Sequence, residues 1–137
     1  MSRMSRYFAI AVIALFAAVA SRAADKTNIP PSKWATAEKN YIFALASEND
    51  GVRISAAEQL GRDQLKGSID ALVTMLKTDK TERARIAAAF ALIIMNEDAG
   101  VKAVEEASLY DGSDKVASFC TKLLELQTAR SYIAVTE

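Results

Sequence analysis

Three stretches of this chain superpose at a constant offset of 32 residues. Asp50-Gly51-Val52-Arg53-Ile54-Ser55-Ala56-Ala57 aligns with Glu82-Arg83-Ala84-Arg85-Ile86-Ala87-Ala88-Ala89, and both align with Asp114-Lys115-Val116-Ala117-Ser118-Phe119-Cys120-Thr121. Leu60, Leu92 and Leu124 fall into the same register. A fixed period of this length with helical patterning constrains the fold strongly. Each unit is too small to bury its own apolar face, so the units must stack and cover one another. The expected architecture is all-α: an α-solenoid, or α-α superhelix, of three helix pairs. Such arrays usually bind other macromolecules.

The N-terminus stands outside that pattern. Arg3 and Arg6 precede an uncharged apolar run from Tyr7 to Ala20, and Ser21-Arg22-Ala23 follows. A basic start, a short apolar core and small residues before a cut at Ala23 are the three parts of a secretory signal peptide. The run of 14 residues is shorter than the roughly 20 needed to span a bilayer as a helix. Residues 1–23 are therefore read as a signal peptide, with no stable membrane span after cleavage and an exported, periplasmic or secreted destination. Removing them takes away three arginines and leaves 14 basic against 17 acidic residues, a net charge of −3. That balance and export both argue against nucleic acid as a partner. Export also brings oxidising conditions, but the chain has one cysteine, Cys120, so no intrachain disulfide forms. Cys120 shares the register of Ala56 and Ala88, which favours a small buried side chain over an intermolecular bridge or a reactive thiol.

Residues 24–32 read as an extended leader, because Pro30-Pro31 lacks backbone donors. Three repeats follow, over 33–61, 66–95 and 98–130, and a C-terminal tail occupies 131–137. In the first helix Trp34, Ala37, Tyr41, Ala44 and Leu45 recur at helical spacing. Trp34 and Tyr41 are read as closing the N-terminal end of the stack. Asp50 is the expected N-cap of the next helix, and Gly61 the left-handed residue that ends it. Ser68 is expected to cap a third helix, with Ile69, Leu72, Val73 and Leu76 facing inward. Asp79-Lys80-Thr81-Glu82 has the spacing of a capping box. The helix after it, from about 81 to 95, is apolar nearly all round, as expected of a central helix covered on both flanks. Val101 and Val104 mark the fifth helix, and Asp111 or Ser113 starts the sixth. The tail is read as a frayed end, a strip folding back as a cap, or a docking peptide.

The acid, Val-Arg, small pair and Leu of residues 50–60 resemble the second helix of HEAT repeats, particularly the short bacterial branch similar to phycobilisome lyase repeats. Glu82, Ala84-Arg85, Ala88-Ala89 and Leu92 match nearly as well, and Asp79 with Arg85 has the six-residue spacing of that family's acid and base. The third unit departs from it: Ala117 stands where the Arg would be, and Thr121 replaces a small apolar residue. The resemblance covers roughly residues 33–128 and implies a protein-binding scaffold or assembly factor. Its lyase-like branch raises a chromophore-handling enzyme as an alternative. For Arg53 and Arg85, a structural tie to an acid or to free carbonyls at a neighbouring turn is weighed above ligand contact.

The residues available for chemistry are few. Without histidine the chain has no His general base and no Ser-His or Cys-His nucleophile. Adjacent acids such as Glu105-Glu106 diverge on a helix and read as solvated charge. Asp111-Gly112-Ser113-Asp114 lacks the 12-residue calcium-loop pattern and reads as a turn and cap. No catalytic activity, cofactor or metal is expected. A surface remains: the register sets Glu58, Phe90 and Lys122 in one row, and Ser55, Ala87 and Phe119 in another, on what should be the concave face. Ser55, Glu58, Phe90, Phe119 and Lys122 are the candidate partner-binding residues, with Phe90 either an aromatic anchor or core. The partner is expected to be a protein, and self-association through open stack ends is the structural alternative.

Overall fold

A computed structural model describes residues 30–136, all of whose regular elements are helical. Residues 1–23, read as a signal peptide, and most of the expected leader lie outside the described residues. After a single 3-10 turn at Pro31–Lys33 come α1 (Trp34–Ala44), α2 (Asp50–Arg62), α3 (Ile69–Thr78), α4 (Glu82–Met95), α5 (Asp98–Tyr110) and α6 (Asp114–Thr136). They form three consecutive pairs. The second helices pack in a row, with α4 between α2 and α6, and α3 lies against α5 in the other layer.

The core runs through α4. Ala84, Ala87, Ala88, Ala89, Ala91, Leu92, Ile93 and Met95 are all buried there, whereas α1 has no fully buried residue. Four buried alanines in the stretch Ala87–Ala91 let neighbouring helices approach on both flanks, so the uniformly apolar sequence is what a middle helix requires. Leu60 and Leu92 of the shared register are fully covered, while Leu124, on the last helix, is half-buried.

The helix ends differ from the local expectations in four places. Asn49, not Asp50, caps α2: its side-chain oxygen accepts from the amides of Gly51 (2.9 Å) and Val52 (3.4 Å). Gly61 lies inside α2, and the left-handed residue is Gln64 at φ 56°, with the amide of Leu65 donating back to the Leu60 carbonyl (3.1 Å). The reason for glycine at 61 is contact: a Cβ there would stand 2.8 Å from the Cα of Ala91 on α4. Ser68 is buried and donates its hydroxyl to the Leu65 carbonyl at 2.7 Å instead of capping α3. The capping box also fails to close, because Asp79 and Glu82 are both drawn to other pairs. Asp79 takes Arg53, and Glu82 accepts from the hydroxyl of Ser113 at 2.6 Å. Ser113 is the cap expected of it, accepting from the Val116 amide at 3.4 Å. Residues 131–136 continue α6 as helix.

Candidate functional site

The most sheltered ion pairs among the described residues are two rungs of the same design. Arg53 donates from Nε and Nη2 to the two carboxylate oxygens of Asp79, at 2.7 and 2.9 Å, and from Nη1 to the carbonyls of Ser47 (2.9 Å) and Glu48 (3.1 Å). One pair further along, Arg85 donates in the same fork to Asp111 at 2.9 and 3.0 Å, and from Nη1 to the Asp79 carbonyl at 2.8 Å. The planar guanidinium matches a carboxylate on one edge while its third nitrogen satisfies a turn. Both rungs are sheltered, with side-chain exposures of 7% and 6% for the first and 15% and 8% for the second. The hydrogen bond to Asp79 holds the Arg53 guanidinium above its ordinary pKa, although burial opposes it. Burial pushes Asp79 up, but the donors of Arg53 and Thr81 outweigh it and leave the carboxyl below its usual range. These arginines are committed to joining successive pairs, as the weighing of their roles anticipated. The series stops at both ends, since Ser47 holds the register of Asp79 and Ala117 that of Arg85.

The five candidate binding residues separate into two places. Glu58 on α2 and Lys122 on α6 are exposed and flank half-buried Phe90 on α4. Phe90 packs against the core and keeps part of its ring at the surface. Phe119 on α6 is also half-buried against the core. In the second expected row Ala87, between Ser55 and Phe119, is buried. Ser55 is exposed on α2 and lines a groove with Tyr41 and Ala44 of α1. Ile94, one turn beyond Phe90, and Leu126, two turns beyond Phe119, are half-buried too. Both were missed because each reads as ordinary core in a helical pattern. Arg83 on α4 and Lys115, Lys122 and Glu125 on α6 are exposed.

A concavity of about 690 Å³ lies between α3 and α5, lined by Leu76, Ala103, Ala107 and Tyr110 among others. The charges around it are already matched: Lys77 pairs with Glu106 at 2.8 Å, and Arg85 with Asp111. The Lys77 hydrogen bond draws Glu106 below its ordinary pKa. Cys120 is fully buried, and burial, with the charge of Asp111 adding to it, pushes its thiol up to about 11. It is therefore a protonated core side chain at neutral pH, not a nucleophile. Among the described residues no group of three or more His, Cys, Asp or Glu side chains is arranged to hold a metal, and no helix is long and apolar enough to cross a membrane.

Three stacked helix pairs, with small residues between second helices and arginine rungs between turns, define an α-solenoid. The family model described as HEAT repeats matches residues 40–124. The chain belongs to the HEAT-repeat family. Comparisons with curated proteins and with solved structures returned no match. HEAT repeats are commonly protein-interaction scaffolds.

Proposed function

We propose that this chain is an exported protein-binding module, periplasmic or secreted, that holds a partner by shape and side-chain complementarity without covalent chemistry. The reading rests on half-buried Phe90 and Ile94 of α4 and Phe119 and Leu126 of α6, apolar side chains left partly open on two adjacent second helices that also carry exposed charges. An aromatic and aliphatic centre with a charged rim is the usual anatomy of an interface. The basic start, apolar run and Ser21-Arg22-Ala23 support export. The missing histidine and the protonated, buried Cys120 speak against the lyase-like alternative.

The test uses photoreactive side chains in place of Lys122 and, as a control in the other layer, of Lys77. The position 122 probe is expected to cross-link a protein of the exported fraction that the position 77 probe does not. Phe119→Ser, with helix content unchanged by circular dichroism, is expected to abolish that product. Equal labelling from both positions, or a product indifferent to Phe119→Ser, contradicts the reading.

A further inference from the structure

The two ends of the stack are built differently. Along α4 the stripe Ala84, Ala87 and Ala91 is buried, and Ala91 abuts Gly61 of α2, so this is the flank that a preceding second helix covers. The same register on α2 is Val52, Ser55 and Gln59, for which no preceding pair exists among the described residues. Val52 is 44% exposed where Ala84 is 0%. These three residues, with Tyr41 and Ala44 of α1, line a groove of about 580 Å³ none of whose lining residues carries a charge. At the other end, the register of Ile54, Ala57 and Gly61, which would face a following pair, is Ser118, Thr121 and Glu125 on α6, all exposed and polar. That end already has the polar outer surface of a capping repeat. Head-to-tail growth would bring a neutral groove against hydroxyls and a carboxylate. It would also bring Ala117 to Ser47, and neither can complete an arginine rung.

We propose that two copies of this chain pair through their N-terminal ends, α2 against α2, about a two-fold axis near Ser55. Opposite charges at the two ends of this flank select a second copy. Glu48 lies in the turn just before α2, next to groove-lining Asn49, and Arg62 is the last residue of α2; both are exposed, so the two ends of the helix carry opposite charges. Antiparallel apposition sets Arg62 of each copy opposite Glu48 of the other, giving two equivalent ion pairs around a neutral centre. A contact of this kind closes on itself and leaves the face of Phe90 and Phe119 to a different partner. It stands independently of the function proposed above.

Sedimentation equilibrium over a range of concentrations tests it, on the protein purified in the form in which cells accumulate it. A reversible dimer is expected. Ser55→Arg should raise its dissociation constant about tenfold or more, as an obstruction at the centre of an interface does. Thr121→Arg, at the polar end, should leave the dimer intact. Glu48→Arg should weaken it, and Glu48→Arg combined with Arg62→Glu should restore it. That exchange decides the matter even if Ser55→Arg disturbs folding. A photoreactive side chain replacing Ser55 should join two copies of the chain. A monomer at every concentration, a dimer indifferent to the charge reversal or dissolved by Thr121→Arg, or a position 55 cross-link to a different protein overturns the proposal.

Discussion

Arg53 satisfies a carboxylate one pair ahead and two carbonyls one turn behind, so a single side chain fixes the approach of three segments. The value of the contact depends on Asp79 being ionised. Its carboxyl lies below the ordinary range in the folded chain, so its stabilisation is full above the unfolded value of about 4. It is lost as pH falls through the lower folded value. Asp79→Asn should therefore lower the urea midpoint more at pH 7 than at pH 3, where part of the contribution has already been lost in the parent protein. Equal losses at both pH values would mean that the charge of Asp79 does not matter. The role of the arginines was legible in the sequence because acid and base recur in one register. The fork geometry was not, because Arg53 and Asp79 meet only after an intervening helix returns the chain to the same end of the stack.

At the scale of the element, the helices and their order followed from the 32-residue period, while several of their ends did not. Gly61 shows why. Local rules read a glycine at the end of a helical pattern as the left-handed stop, but the residue that needs φ > 0 is Gln64. What holds position 61 to glycine is the backbone of Ala91, 30 residues away, and a single sequence does not display such a distance. Gly61→Ala should force α2 and α4 apart and cost about 1–3 kcal/mol of stability by chemical denaturation, although alanine is the better helix former. A stabilised variant would show that the contact yields freely. Asp79 and Glu82 carry the same lesson, since each is a plausible cap by local sequence but bonds to a residue of another helix pair. The candidate site divided for a related reason: a row drawn through Ser55 and Phe119 passes through Ala87, which tertiary packing buries.

For the whole molecule, the central claim is that the middle pair is stable because its companions shield it. The apolar circumference of α4 is covered by α2, α3, α5 and α6 together, whereas α1 contributes no fully buried residue and the α6 side chains from Thr128 to Ala134 are exposed. Protection should therefore fall outward from the centre of the stack. Amide hydrogen exchange read residue by residue measures this most directly. The account predicts that α4 amides from Ile86 to Ile93 exchange slowest, close to the rate set by global unfolding. Those of α1 and of the last turns of α6 should exchange fastest. An α4 that exchanges as readily as α1 would contradict it.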